Sequence, residues 1–292
     1  MLLTVFTPTY NRAGTLERLY ASLCRQTDKD FEWLVVDDGS TDNTRELVSG
    51  WQSENIISVR YTYQENAGKP MAHNLGAREA RGELFICLDS DDYLTDSAVE
   101  VIKRGFLEMP DGCIGLLAYK LDTDGKAVTA LSDKTVKTST LKGAYDNHGL
   151  YGDTALVFKT QILRKHAFPG FRGEKFIPEG YLYDRLDGEG ELYIVRCGIY
   201  VCEYLNDGYT ANMKRLLYKN PQGYFTYIKQ RLSVDKTLKH KFLDSVRYMA
   251  MAIAHKRSGK IKLAVYPFLA FLAYFPGWLL YVRDFKRYRN GA

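Results

Sequence analysis

The sequence predicts an α/β fold built on a mostly parallel sheet, and three observations carry that expectation. Strand-like apolar runs alternate with helix-period segments through the first hundred residues. Two of the runs stop at acids: Trp33-Leu34-Val35-Val36 at Asp37-Asp38, and Ile86-Cys87-Leu88 at Asp89-Ser90-Asp91-Asp92. A third run, residues 2–6, leads into Thr7-Pro8-Thr9-Tyr10-Asn11-Arg12. In a β-α-β-α-β chain with right-handed crossovers, such strand ends meet at one edge of the sheet, so the three motifs are expected to share a crevice.

Each element follows from local chemistry. After Arg12, Leu16, Leu19, Tyr20 and Leu23 recur on one helical face. Beyond the acid-pair strand, Asp42 is placed to cap a helix carrying Leu47, Val48 and Trp51. Residues 56–63 read as a strand and 65–70 as a turn-rich loop. Residues 71–81 read as a helix that Gly82 ends, and 84–88 as the strand that delivers the acid cluster. A helix over 99–107, strands near 115–121 and 156–158, a loop at 149–154 and a strand over 192–204 follow. From about residue 214 the pattern is helical.

Composition excludes several classes. The chain has 292 residues, long enough for one large domain or two small ones, with an ordinary 46% hydrophobic and 26% charged content. Five isolated cysteines form neither a disulfide frame nor a zinc motif, which points to a reducing compartment. The N-terminus lacks the marks of a signal peptide. No GxGxxG follows the first strand, and GxxxxGK[ST], HExxH and GxSxG are absent, which argues against a dinucleotide dehydrogenase, a P-loop enzyme, a zincin and an α/β-hydrolase.

The acids carry the chemistry. Carboxylates beside a diphosphate repel it unless a cation bridges them, and Mg²⁺ or Mn²⁺ does so with one or two protein carboxylates. Asp89 and Asp91 lie two apart, so one is read as a metal ligand and the other as a ribose acceptor. Asp37 and Asp38 are candidates to accept hydrogen bonds from a base edge or ribose, and Thr9, Arg12 and Lys69 to supply donors and positive charge. Asn74 reads equally as an ordinary helix side chain.

Taken together, PTYNR, WLVVDDGSTDNT, ENAGKPMAHNLG and CLDSDDYL resemble the family-2 glycosyltransferases of the GT-A fold, a Rossmann-like, mostly parallel sheet flanked by helices. The match in order and spacing covers residues 1 to about 96. The resemblance implies an inverting transferase acting on a UDP-type nucleotide-sugar; the expected acceptor is a glycan or a lipid-linked saccharide, the lipid being read from the C-terminal tail. It implies a donor-binding set drawn from Thr7, Pro8, Thr9, Tyr10, Arg12, Asp37, Asp38, Lys69, Asn74, Asp89, Ser90 and Asp91, with Mn²⁺ or Mg²⁺ on Asp91 and Asp89. Where the family commonly reads Ala-Arg-Asn, this chain has Ala72-His73-Asn74, so a guanidinium contact is replaced by a ring that is cationic only when protonated. An inverting transfer also needs a base for the acceptor hydroxyl. Aligning on Arg185-Leu186 places Glu179 there, with Asp184 second and Asp153 third, although the usual Glu-Asp pair is Pro178-Glu179 here. By the same resemblance, residues 204–212 close over the diphosphate. A catalytically inactive nucleotide-sugar or glycan-binding protein is the alternative.

Charge divides the chain. Residues 211–292 hold 17 Lys and Arg against 3 acids, while the rest is net acidic. Residues 263–282 form an uncharged run of twenty, flanked on both sides by Lys and Arg. The expected organisation is therefore a transferase domain over 1–212, with a donor half at 1–96 and an acceptor half at 97–212, and a basic helical tail over 213–292. The tail is read as lying on an anionic membrane at its cytoplasmic face, with a single span or an oligomer-forming helix as alternatives, and nucleic acid is not the expected partner.

Overall fold

A computed structural model describes residues 1–203, 209–234 and 237–289. The chain forms two compact units, Met1–Ala167 with Arg185–Glu203, and Phe168–Asp184 with Tyr204–Ala292.

The first unit opens with the alternation read from sequence: β1 (Leu3–Thr9), α1 (Ala13–Cys24), β2 (Phe31–Asp37), α2 (Thr44–Glu54), β3 (Ser58–Tyr63), α3 (Lys69–Glu79) and β4 (Leu84–Cys87). It continues through β5 (Tyr93–Leu94), α4 (Ala98–Glu108), β6 (Gly115–Leu121), β7 (Ala130–Leu131), β8 (Thr138–Ser139), α5 (Leu141–Asn147), β9 (Leu150–Tyr151), β10 (Thr154–Lys159) and α6 (Thr160–Leu163). The main sheet runs β3-β2-β1-β4-β10-β6, then β11 (Leu192–Val201) and β5, with β8 also on β11. The β3-β2-β1-β4 block is parallel; β10 runs antiparallel to β4 and β6.

Strands β1 and β2 are buried along their whole length, as a sheet covered on both faces requires. Leu16, Leu19, Tyr20 and Leu23 of α1 all enter the core, and Tyr20 stacks on Trp51 of α2 at 4.5 Å. Gly82 differs from its expected role. The helix before it ends at Glu79, with Ala80 as its cap, and the glycine is needed because a Cβ there would lie 2.3 Å from the Thr4 amide nitrogen.

The second unit is more than the basic tail. Between the units' chain segments lies α7 (Gly180–Leu186). Helices α8 (Tyr209–Lys219), α9 (Pro221–Val234), α10 (Leu238–Ala254), α11 (Pro267–Leu272), α12 (Tyr274–Asp284) and α13 (Lys286–Arg289) complete it. The 168–184 segment joins them rather than the expected 97–212 half, because backbone polar groups tie it there. Asn220 Oδ1 accepts from the amides of Lys175 and Phe176, and Glu174 accepts from those of Gln222 and Gly223. The uncharged run 263–282 is not one helix: it breaks at Ala273 between α11 and α12. Among the described residues no helix is long and apolar enough to cross a membrane.

Candidate active site

The carboxyl ends of β1 and β2 are fastened together by their own loops. The β1 loop turns at Asn11, whose φ of 52° its short polar side chain tolerates. Asn11 Oδ1 accepts from the Thr41 amide at 2.8 Å, and the Asn11 amide donates to Ser40 Oγ at 2.9 Å. Asp42 accepts from the amides of Ala13 and Thr44, so it holds the starts of α1 and α2 rather than α2 alone. Burial opposes its charge, but these bonds and the Thr44 hydroxyl keep its carboxyl below the ordinary value.

Four of the predicted residues form one electrostatic neighbourhood. Lys69, at the start of α3, pairs with Asp89 at 2.6 Å. The Asp91 carboxyl is pushed up first by burial and then by the negative charge of Asp89, while Arg12 and Lys69 pull it down. Ser90 is buried between the two acids, Thr9 is buried at the end of β1 with no partner for its hydroxyl among the described residues, and Tyr10 is exposed beside it.

Three predicted ligands are claimed by the fold. Thr7 is fully buried and its hydroxyl accepts from the Trp33 indole nitrogen at 3.0 Å. Asp37 is buried, with Oδ1 accepting from the Ser40 amide and Oδ2 from the Tyr61 hydroxyl. Asp38 Oδ1 accepts from Gln64 and the Ala67 amide, and Oδ2 from the Gly68 amide. These bonds give each acid a structural role that its place in the sequence did not mark. Asp37 braces the β2 turn, and Asp38 shapes the loop that presents Lys69. Pro8 is likewise within the buried span of β1. Asn74 lies half-buried on α3, donating to the Met71 sulfur at 3.9 Å. The His73 ring packs edge-on against Phe6 and Phe85.

Sequence reasoning missed the scaffold beneath the acid cluster. Tyr200 on β11 is buried; its hydroxyl accepts from the Asp89 amide at 3.1 Å and donates to Asp92 Oδ2 at 2.7 Å. Asp92 also accepts from the Glu203 amide. Burial first, then Asp89, push the Asp92 carboxyl up to about 6. Arg18 donates to the Asp91 carbonyl and to Glu203. Tyr200 stands in an apolar strand pattern over a hundred residues from the cluster, so no local signal marked it.

Two of the three candidate bases, Glu179 and Asp184, belong to the second unit. Glu179 is exposed immediately before α7, its carbonyl accepting from the amides of Leu182 and Tyr183. Asp184 is half-buried and within electrostatic reach of Tyr227 and Arg231, which gives it a partner inside that unit. Asp153 is exposed in the first unit, its carbonyl accepting from the Thr129 hydroxyl. Of the stretch expected to close over a diphosphate, residues 204–208 lie outside the described residues, and Tyr209 onward is helix α8.

Comparison with known proteins follows the same division. The chain is 45% identical over 93 residues to the validoxylamine A glucosyltransferase of Streptomyces hygroscopicus subsp. jinggangensis, covering 30% of this chain and 22% of that protein. It is 34% identical over 128 residues to the chondroitin synthase of Pasteurella multocida, covering 44% of this chain and 13% of the synthase. The chain thus spans only a small part of these relatives. Among solved structures, S. aureus TarS 1–349 in complex with UDP-GlcNAc superposes with a TM-score of 0.61 at 17% identity, covering 99% of this chain and 83% of that one. The mannosyltransferase PcManGT of Pyrobaculum calidifontis, in complex with GDP-Man and Mn2+, gives 0.57 at 17% identity, with 97% and 88% coverage. At such identities the likeness is one of fold, the GT-A arrangement. The model of glycosyl transferase family 2 matches residues 4–166, more than half of the chain and ending where the first segment of the first unit ends, and the chain belongs to that family.

Proposed function

We propose that this protein transfers a glycosyl group from a nucleoside-diphosphate sugar, a UDP-sugar first, to a hydroxyl of a glycan or lipid-linked saccharide, with inversion and with Mn²⁺ or Mg²⁺. The observation that carries the reading is the coupling of Arg12, Lys69, Asp89 and Asp91, which come from separate strand ends. Solved structures of the same fold were obtained with UDP-GlcNAc and with GDP-Man and Mn2+, which supports a nucleotide-sugar donor and a divalent ion.

The residues fit such an ion. Asp89 and Asp91 offer hard oxygens, and a dication there offsets the repulsion that raises the Asp91 carboxyl. Among the described residues no group of three or more His, Cys, Asp or Glu side chains is placed to hold a metal, and the donor's phosphates and water would supply the other ligands. The bound ion would neutralise charge on the departing diphosphate. Lys69 and Arg12 add positive charge on the same edge, and the Thr9 hydroxyl adds a hydrogen-bonding group. In the transfer, the acceptor oxygen bonds to the anomeric carbon as the bond from that carbon to the diphosphate oxygen breaks. The hydroxyl proton passes to a carboxylate, for which Glu179 is proposed on its motif and its exposure, with Asp184 second because Arg231 and Tyr227 engage it.

The test is thermal stability of the full chain across UDP, GDP, CDP and ADP with and without Mn²⁺, followed by turnover of the matching labelled sugar donor. A saturable, metal-assisted rise with one nucleotide is expected, and it should vanish in Asp89→Ala. No stabilisation by any of the four overturns the proposal.

A further inference from the structure

Helices α11 and α12 are packed inside out. Their small residues face inward: Ala270, Ala273 and Gly277 are buried. A Cβ on Gly277 would lie 2.7 Å from Met249 Cβ and 3.2 Å from the Val246 carbonyl oxygen, so α10 and α12 approach at backbone distance. Apart from Tyr281, which is buried, their aromatic residues face outward together with several large aliphatic ones. Phe268 is 72% exposed, Phe271 63%, Phe275 65%, Trp278 43%, Leu279 50% and Val282 37%. These positions fall at three- and four-residue intervals, so they form one ridge that continues across the turn at Ala273. The hydrogen bonds from Ala273 to Leu269 and from Gly277 to Ala273 keep the two helices in helical phase. A soluble helix places its large apolar side chains inward; a contiguous aromatic ridge facing outward marks an interaction surface.

Charge identifies the partner. Exposed Lys256 and Lys262 precede the ridge, and exposed Lys286, Arg287 and Arg289 follow it. Two of the three acids of residues 211–292 are turned inward and neutralised: Asp244 pairs with Arg231 and Arg247, and Asp284 with Lys214 and Arg283. A second copy docking ridge to ridge would bring a like-charged rim against this one. An anionic bilayer supplies both an apolar layer for the aromatics and phosphate for the cations. Cations at both ends and the turn at Ala273 suit helices lying in the plane of the surface rather than crossing it. We propose that α11 and α12 form a monotopic anchor, with Phe268, Phe271, Phe275, Trp278 and Leu279 entering the headgroup–acyl boundary of an anionic membrane. The inference rests on the second unit alone and does not depend on which donor the first unit uses.

The chain carries its own probe. Trp33 and Trp51 are buried in the first unit, so a change at the membrane reports Trp278. Full-length protein is mixed with vesicles of phosphatidylcholine alone, or of phosphatidylcholine with phosphatidylglycerol. The expected result is co-sedimentation and a blue shift of tryptophan emission with the anionic vesicles, weakened by salt, with quenching by bromine on the upper acyl chain. The double variant Phe271→Glu/Phe275→Glu should lose at least about tenfold in vesicle partitioning, with an unchanged melting temperature. Lys286→Glu/Arg287→Glu should lose the preference for anionic lipid. Wild-type protein that stays in the supernatant with unshifted emission overturns the proposal, whether or not the variants fold. So does a ridge variant that binds vesicles as well as wild type, or one whose effect in sedimentation equilibrium is to split a dimer.

Discussion

The strand-end edge of the first unit and the α11–α12 ridge of the second break the ordinary inside–outside rule in opposite directions. At the edge, carboxylates are buried: Asp37, Asp38 and Asp92 are almost wholly excluded from solvent. On the ridge, phenylalanines are exposed while alanine and glycine are covered. The two departures have different energetics. A buried carboxylate destabilises the fold unless donors surround it, so each of those acids sits in a network that can be named bond by bond. An exposed phenylalanine forgoes stabilisation without straining anything around it, so the ridge needs no compensating contacts within the fold. The lesson is that a polar departure is visible in the network that supports it, whereas an apolar one is visible only in what it leaves uncovered.

Four measurements break or sharpen that contrast. The largest effect is expected for Asp91→Asn, which should lower donor turnover by roughly a hundred- to a thousandfold. Because burial and Asp89 already disfavour the Asp91 charge, the variant should unfold in urea no earlier than the parent; a clear loss of stability would show a structural rather than a functional acid.

Asp38→Ala comes next. It leaves the Ala67 and Gly68 amides and Gln64 without their acceptor and should cost about 2–4 kcal/mol in urea unfolding. A neutral result would mean that the loop before α3 holds its shape without the carboxylate.

The third concerns pH. The Asp92 carboxyl is pushed up to about 6, so between its unfolded value and that point the folded chain binds a proton that the unfolded chain has released. Raising pH through that window therefore removes stability, by up to about 3 kcal/mol. Asp92→Asn lacks this dependence. Its stability relative to the parent should rise between about pH 4.5 and about pH 7 in metal-free buffer, and parallel curves would refute the assignment.

The smallest effects contrast the two faces of α12. Gly277→Val forces a side chain against Met249 and the α10 backbone and should destabilise by about 1–3 kcal/mol. Phe275→Ser on the outer face should stay within about 0.5 kcal/mol. A large loss for Phe275→Ser would mean that the ridge is packed against the protein's own surface.

Much of the first unit was legible because its signals are local. Leu16, Leu19, Tyr20 and Leu23 of α1 follow the 3.6-residue period, and the acids after β2 and β4 interrupt apolar runs within a few residues. Small departures have identifiable causes. Helix α3 begins at Lys69, two residues before its apolar pattern, because Pro70 is accommodated in the first turn. The grouping of residues 168–184 with the helical unit was hidden because it depends on Asn220 and Glu174 side chains reaching backbone more than forty residues away.

By itself, the sequence determined the strand–helix order, the edge at which the motifs meet, and the acids available there, since each depends on periodicity or on neighbours a few residues apart. The tertiary structure alone decided which partners each acid has. Asp37 and Asp38 resemble Asp89 and Asp91 in sequence, yet Tyr61, Gln64 and the 67–68 amides claim the first pair, while Lys69 and Arg12 face the second. It also decided which side of residues 267–284 turns outward. The helical period marks two faces, one carrying Ala270, Ala273 and Gly277 and the other most of the aromatics, but only the close approach of α10 selects the first for burial.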